Sequence, residues 1–372
     1  MKVAVVQDWL TEIGGAEKVF SGILELFPEA DIYTLAAHER VLTDLKIDRN
    51  RVYESFIVKL PFGRKKYRNY LPLFSKAIES FDLSDYDLIL SSSSSVAKGI
   101  LKQSNQLHIC YCHSPVRYAW DLYHQYLKEA SLQGFGPKAL FVRHVLHKLR
   151  IWDVISANRV DHFIANSKYI KRRINNVYRK DSTVIYPPVD IEKFRLEEEK
   201  SDYYFTASRM VPYKKIDLIV KTFSELPDKK LKVAGVGPDF EKIKKLAGSN
   251  VEFLGFVSDE EMQILISQAK AFVFAANEDF GIIPVEAQAC GTPVIALGKG
   301  GTKETVIDGI TGVHFESQTE EALKEAIHKF EAIKFDFQKI RESVEKFSKT
   351  RFINELKQFI SVKLHDFHEE IK

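Results

Sequence analysis

The chain of 372 residues is long enough for two domains of ordinary size, each with its own hydrophobic core, which excludes a single small module. Hydrophobic residues at 45% and charged residues at 28% exclude a disordered or collagen-like chain. Net charge is only +3, yet residues 1–188 hold 27 Lys and Arg against 19 Asp and Glu (+8), while residues 189–372 hold 27 against 32 (−5), so only the first half is expected to seek an anionic partner.

In chain order, short runs rich in Val, Ile, Phe and Tyr predict strands at 3–7, 32–35, 88–91, 107–112, 163–166 and 184–186. The first of these is broken by Gln7 and Asp8 before it reaches signal-peptide length, and no later run approaches the roughly 18 apolar residues of a membrane span. A cytoplasmic location is expected. The serine run 91–95 reads as a strand end leading into a helix. Tyr186-Pro187-Pro188-Val189-Asp190 then reads as an interdomain linker, because two prolines remove backbone donors and extend the chain. The charged stretch 195–202 is expected to be exposed. Beyond it, strands are predicted at 204–207, 231–234, 251–254, 271–275, 294–296 and 313–315, alternating with helices such as 216–224, 259–269 and 319–329. Repeated strand–helix alternation predicts two doubly wound parallel α/β domains, 1–188 and 189–349, with a C-terminal helix from about 350 to 372 packing back on the first. Cys110, Cys112 and Cys290 are too few for a disulfide framework and lack zinc-ligand spacing, so buried thiols and no metal site are expected.

Ligands of open parallel sheets bind beyond the carboxyl ends of the strands, and the motifs there carry the chemistry. Gly14-Gly15-Ala16-Glu17 follows the first strand and opens a helix, which suits either an anion at the helix N-terminus or a plain tight turn. Gly235-Val236-Gly237-Pro238 lacks the third glycine of a dinucleotide fingerprint, and Gly298-Lys299-Gly300-Gly301-Thr302 lacks the first glycine of a P-loop; neither is read as a nucleotide motif. Ser208-Arg209-Met210-Val211-Pro212-Tyr213-Lys214 places a guanidinium and an ammonium after a strand, fit to neutralise a diphosphate or simply to solvate a helix start. Most informative is Glu278-Asp279-Phe280-Gly281-Ile282-Ile283-Pro284-Val285-Glu286. Glu278 falls in a loop, the amides of Gly281, Ile282 and Ile283 at a helix N-terminus, and Glu286 one turn further in, where a carboxylate can accept two ribose hydroxyls. The alternative makes Glu286 a dipole partner and Glu278 a cap.

Taken together and in this order, Gly14-Gly15-Ala16-Glu17, Tyr111-Cys112-His113-Ser114-Pro115, the Ser208–Lys214 segment and Glu278 to Glu286 followed by Ala287-Gln288-Ala289-Cys290-Gly291-Thr292-Pro293-Val294-Ile295-Ala296 resemble glycosyltransferase family 4. The resemblance spans nearly the whole chain. Residues 112–126 with Gln7-Asp8-Trp9-Leu10 most resemble bacterial mannosyltransferases of O-antigen, lipopolysaccharide and exopolysaccharide assembly. The resemblance implies a GT-B fold, with two Rossmann-like domains facing a central cleft. It implies a nucleotide-sugar donor held mainly by the second domain and transfer with retention of anomeric configuration, without a bound metal or cofactor. By position, Arg209 and Lys214 would hold the diphosphate, Glu286 the ribose, Gly15 a phosphate oxygen, and Val257 the base through its backbone. Phe280, Gly281, Ile282 and Ile283 would line the donor. Glu278 would meet the sugar's 3-hydroxyl and His113 its 6-hydroxyl, as the catalytic pair. Arg117, Tyr118, Trp120 and Asp121 would face the acceptor. One departure is Lys215, where the family usually has glycine, leaving open which lysine reaches the phosphate.

Breaking a sugar–phosphate bond leaves negative charge on the diphosphate and positive charge on the ring, so cations should line the first and oxygen the second. No carboxylate pair suited to double displacement is evident, so the departing phosphate is expected to take the acceptor's proton, with His113 positioning. Asp121 is the first candidate base were the reaction inverting.

Residues 59–70 hold Lys59, Arg64, Lys65, Lys66 and Arg68 with no acid, interleaved with Phe62, Tyr67 and Tyr70, and 138–152 is again basic and apolar without acid. Such stretches suit an anionic membrane surface better than nucleic acid, for which no module is present; a solvated face is the plain alternative. The expected enzyme moves mannose from GDP-mannose onto a lipid-linked saccharide, peripheral on the inner face of the cytoplasmic membrane. UDP-sugar transfer is the runner-up, followed by a nucleotide-sugar epimerase and a catalytically silent assembly partner.

Overall fold

The computed structural model describes residues 1–370, which fall into two compact units: Met1–Pro188 together with the C-terminal stretch from Thr350, and Val189–Lys349. Unit 1 contains strands β1 (Val3–Gln7), β2 (Asp31–Thr34), β3 (Val52–Glu54), β4 (Leu88–Ser93), β5 (Leu107–Cys112), β6 (His162–Ala165) and β7 (Ser182–Val184). Unit 2 contains β8 (Tyr204–Ala207), β9 (Leu231–Ala234), β10 (Val251–Gly255), β11 (Ala271–Phe274), β12 (Val294–Leu297) and β13 (Gly312–Phe315). The sheet orders are β3-β2-β1-β4-β5-β6-β7 and β10-β9-β8-β11-β12-β13, with every pairing parallel. Parallel strands need helical crossovers, which cover both faces of the sheet. That burial explains why β1, β4, β5, β8 and β11 are buried at every position, and why β1, β8 and β11 read as mostly apolar runs. Order reverses between β1 and β4 in the first sheet and between β8 and β11 in the second, and a doubly wound sheet opens a crevice at the carboxyl ends of such a pair.

The C-terminal helix Lys349–Glu370 belongs to unit 1 from Thr350 onward. Phe352, Leu356 and Ile360 recur every fourth residue, so they share one face, and all three lie in the core beside Phe20, Ile23 and Tyr111. Gly22 lets this helix approach: a Cβ there would come within 2.6 Å of the Phe352 ring.

Three expectations need correction. The edge strand β3 is only three residues long, too short for an alternating pattern to register. β7 ends at Val184, where the strand 184–186 was expected to begin; the chain leaves the sheet ahead of Pro187 and Pro188, which cannot donate to a ladder. The stretch 195–202 is not wholly solvated, because Lys200 lays its Nζ on Ser267 O (2.6 Å), Thr292 Oγ1 (3.0 Å) and Cys290 O (3.1 Å), and burial lowers that ammonium to about 8. The serine run continues β4 to Ser93 with its hydroxyls engaged: Ser91 with His108 Nε2 at 2.7 Å and Ser92 with His113 Nε2 at 2.8 Å. The three cysteines are buried and unpaired with one another.

Candidate active site

In unit 2 the chain leaves β8 through Arg209 and a short 3-10 turn, Pro212–Lys214, before the helix Ile216–Ser224. Lys215, between them, has φ +58°, a left-handed conformation that L side chains resist and glycine adopts freely. The lysine therefore stands at a turn position of the kind glycine fills, and Lys214 is the one aimed at the strand ends. Its Nζ lies 2.5 Å from Glu278 Oε1, across the β8/β11 crevice. Glu278 stands midway along the loop from β11 into the helix Ile282–Ala289, whose N-cap is Gly281 at φ +87°. The first helical amides lack intrahelical partners and carry partial positive charge. Glu286 is half-buried in the second turn of that helix, and the Phe280 ring is buried edge-on against Phe347 at 5.3 Å, so any ligand contact from Phe280 falls to its backbone. Val257, half-buried, follows Phe256, which stands 81% exposed after β10. A ring this exposed, two strands from Arg209, had no signal in spacing or charge.

In unit 1 the same reversal brings the ends of β1 and β4 together through Asp8. Its buried carboxylate accepts four backbone amides, from Ser94 (2.6 Å), Ser95 (2.9 Å), Val96 and Ala97 (both 2.7 Å). Glu17, also buried, accepts from the Gly14 amide at 2.9 Å and from Gln7 Nε2 at 3.3 Å, which closes the glycine turn and leaves Gly15 as the first residue of the helix Gly15–Leu26. His113, 9% exposed after β5, is held by Ser92 and by Asn166, whose Nδ2 donates to the His113 carbonyl at 3.0 Å. Burial pushes its imidazole down to about 4, so the ring is neutral at neutral pH. The sequence assigns no site role to Asp8, Glu17, Ser92 or Asn166, although Asp8 and Glu17 stand in the Gln7–Leu10 and Gly14–Glu17 motifs; Glu17, three residues after Gly14, also has the spacing of a capping box.

The residues assigned to the acceptor are largely occupied with unit 1 itself. The Tyr118 hydroxyl pairs with Ser95 Oγ at 2.9 Å, Trp120 Nε1 donates to Asp153 Oδ2 at 2.8 Å, and Asp121 is ion-paired with Arg173. Arg173 also donates to Ser114 Oγ (2.6 Å) and the Pro115 carbonyl (3.2 Å), clamping the loop after His113. Arg117 is half-buried beside them. The Asp121 carboxylate is thus engaged by the same guanidinium that clamps this loop.

The basic tract 59–70 divides. Arg64 reaches Glu54 (2.6 Å) and Glu39 (3.6 Å), Arg68 reaches Glu12 (3.9 Å), and Tyr67 is buried with its hydroxyl 3.2 Å from Thr11, so acids from elsewhere balance two of the five cations. Lys59, Lys65 and Lys66 are exposed, with Phe62 73% exposed beside them. In the second stretch, the helix Pro137–Ala157 turns Leu140, Phe141, Ile151 and Ile155 outward with Lys138 and Lys148, and Phe135, just ahead of it, is 79% exposed. No helix among the described residues is long and apolar enough to cross a membrane.

The family model described as Glycosyltransferase Family 4 matches residues 13–193, and that described as Glycosyl transferases group 1 matches residues 189–351. An uncharacterized glycosyltransferase of Methanocaldococcus jannaschii is 31% identical over 199 residues, covering 52% of this chain and 55% of that protein. The GDP-mannose-dependent alpha-(1-6)-phosphatidylinositol monomannoside mannosyltransferase of Mycolicibacterium smegmatis is 32% identical, covering 32% and 36%. Alpha-1,3/1,6-mannosyltransferase alg2 of Schizosaccharomyces pombe is 26% identical, covering 81% and 68%. The chain spans about half the length of the first two curated relatives, 55% and 49%. Among solved structures, sucrose-phosphate synthase of Thermosynechococcus elongatus aligns with a TM-score of 0.72 at 18% identity, covering 98% of this chain and 100% of that one. Anabaena HepE in complex with UDP and glucose aligns with a TM-score of 0.67 at 18% identity, covering 97% and 99%. These likenesses establish the GT-B fold.

The buried imidazole makes a measurable prediction. Between pH 6.5 and 4 the unfolded chain binds this proton and the folded chain does not, so its contribution to stability is complete above 6.5 and is lost as pH falls toward 4, at up to about 1.4 kcal/mol per unit. Urea unfolding of wild type and His113→Gln across that range should show a shallower acid loss in the variant, by about one proton. Identical slopes would mean that His113 is already charged in the folded protein.

Proposed function

We propose that this chain, whose two halves match glycosyltransferase family models, is a retaining hexosyltransferase of family 4 that moves mannose from GDP-mannose onto a lipid-linked saccharide in cell-surface polysaccharide or glycolipid synthesis. The observation that carries this reading is the Lys214–Glu278 pair at the β8/β11 crevice, directly beside the open N-terminus of the helix Ile282–Ala289. A diphosphate entering there would take Lys214 from Glu278, with Arg209 forking onto the phosphate oxygens and the amides of Gly281, Ile282 and Ile283 facing the remaining charge. Glu278, released, would accept sugar hydroxyls, and Glu286 those of the ribose. Val257 would meet the base through its backbone. These donors stabilise the charge that grows on the leaving diphosphate as the glycosidic bond breaks. His113, neutral and held by Ser92, would orient a sugar hydroxyl with a ring nitrogen and, without the imidazolium proton, would not act as a general acid at neutral pH. The departing phosphate would then take the acceptor's proton on the same face, and no metal would be needed.

Mannose and GDP are supported by the mannosyltransferases among the relatives. A UDP-sugar donor is the second reading, favoured by the UDP and glucose of the HepE complex. The lipid-linked acceptor is supported by the exposed apolar and basic side chains of unit 1, Phe135, Phe141, Ile151 and Ile155 with Lys138 and Lys148, and Phe62 with Lys59, Lys65 and Lys66. Each basic charge near an anionic leaflet contributes about 1 kcal/mol, and buried apolar side chains add to it.

Calorimetric titration with GDP and UDP tests the donor site. Arg209→Ala and Glu286→Ala should each weaken binding at least tenfold with little change in melting temperature, GDP should bind more tightly than UDP, and chelator should change neither affinity. Wild-type affinity in both variants would remove these residues from the donor site, and tighter UDP binding would favour the second reading.

Sedimentation with vesicles tests the surface. The protein should pellet with anionic vesicles and much less with neutral ones. Phe141→Asp with Lys148→Glu should release it, whereas reversing Arg64 and Arg68, which already have acidic partners, should matter less. If the first double variant pellets as fully as wild type, this face is merely solvated.

A further inference from the structure

The two glycine turns that match no nucleotide motif lie against the two backbones that carry the donor charges. Gly235 has φ +114°, and a Cβ built on it would stand 2.0 Å from the Ser208 carbonyl oxygen; one on Gly237 would stand 2.4 Å from the Met210 carbonyl oxygen. Arg209 lies between those two carbonyls. On the other side of the β8/β11 crevice, a Cβ on Gly300, at φ +69°, would stand 2.3 Å from the Glu278 carbonyl oxygen. One on Gly301 would stand 2.2 Å from the Phe280 Cα. Backbone hydrogen bonds join the same surfaces: Met210 N to Val236 O at 3.0 Å, Ser208 N to Ala234 O at 3.2 Å, and Gly301 N to Glu278 O at 2.8 Å.

We infer that Gly235, Gly237, Gly300 and Gly301 are positioning residues of the donor site, which set where Arg209 and Glu278 stand by letting backbone lie on backbone at distances no side chain permits. Gly301 makes the clearest case. Its φ of −69° and ψ of −28° suit any residue, so only the close approach of Phe280 excludes a side chain there. The opposing atoms are backbone, which cannot rotate aside, so a methyl group would push the Glu278–Gly281 loop back by about 1 Å, a displacement that can cost on the order of a hundredfold where charged groups must meet a ligand. Thr302 holds the turn from behind, its Oγ1 donating to Leu297 O at 2.5 Å and Lys299 O at 2.8 Å, so the strain has to be relieved on the donor side. Gly309 and Gly255 differ: they have φ of +77° and +69°, but a Cβ on either meets nothing within 4 Å.

This inference rests on the donor-site reading above, and the experiment separates the two. Gly301→Ala and Gly237→Ala, in the full chain, are titrated with GDP and UDP beside Gly309→Ala, which bears left-handed strain without touching a donor loop. Gly301→Ala and Gly237→Ala should bind at least tenfold more weakly than wild type, while Gly309→Ala keeps wild-type affinity even if it melts lower. Wild-type affinity in both, with binding lost in Arg209→Ala, would overturn the positioning role alone. Wild-type affinity in Arg209→Ala and Glu286→Ala would overturn the donor site itself. If both alanine variants fail to fold where Gly309→Ala folds, the glycines are structural and the inference falls.

Discussion

Everything at the candidate site follows from the reversal of strand order between β8 and β11, and its counterpart between β1 and β4. Two neighbouring parallel strands send their connections to opposite faces of the sheet, and the backbone groups beyond their carboxyl ends are left without a covering helix. In unit 2 an ammonium and a carboxylate fill that crevice, Lys214 from one side and Glu278 from the other. In unit 1 a single buried carboxylate, Asp8 at the end of β1, fills it by collecting four amides beyond β4. The same topological feature thus yields an ion pair of side chains in one unit and a carboxylate stapled to backbone in the other.

That difference has chemical consequences. An ion pair of two half-buried side chains keeps some access to solvent and to other charged groups. A buried carboxylate with both oxygens bonded to backbone has no such freedom, and it fixes the Ser94–Ala97 turn. From that turn Ser95 holds Tyr118, and from the end of β4 Ser92 holds His113. At the strand ends of unit 2 the charged groups thus face each other as side chains, whereas the Asp8 carboxylate of unit 1 is spent on backbone.

Motifs on strand ends were readable because the chemistry restricts residue type: Arg209, Lys214, Glu278 and Glu286 stand where their spacing placed them, after β8, after β11 and inside the following helix. Most strands were readable because burial on both faces leaves apolar runs. What failed to register was tertiary. β3 is three residues at a sheet edge, and β7 stops early because of prolines beyond it. The partners of Arg64 and Arg68 come from residues far back in the chain, so a tract with no acid of its own looked more basic than it is. Tyr118, Trp120 and Asp121 carry polar atoms that turn inward to Ser95, Asp153 and Arg173, none of which is a sequence neighbour. The glycines of 235–237 and 300–301 were weighed against nucleotide fingerprints, although their use is steric and appears only once Ser208–Met210 and Glu278–Phe280 are in place. Lys215 looked like a lost glycine, and its φ of +58° shows that the turn kept its left-handed shape with a lysine in it.

The central claim, a same-face transfer assisted by the leaving diphosphate and not by a carboxylate base, is tested most directly by the anomeric configuration of the product. NMR of saccharide formed from GDP-mannose reads it from the one-bond C1–H1 coupling of the new mannosyl residue, since the H1–H2 coupling is small in both mannose anomers. The account requires the newly formed linkage to have the donor's α configuration. A β linkage would contradict it, because inversion needs a general base on the face of the sugar opposite the leaving diphosphate.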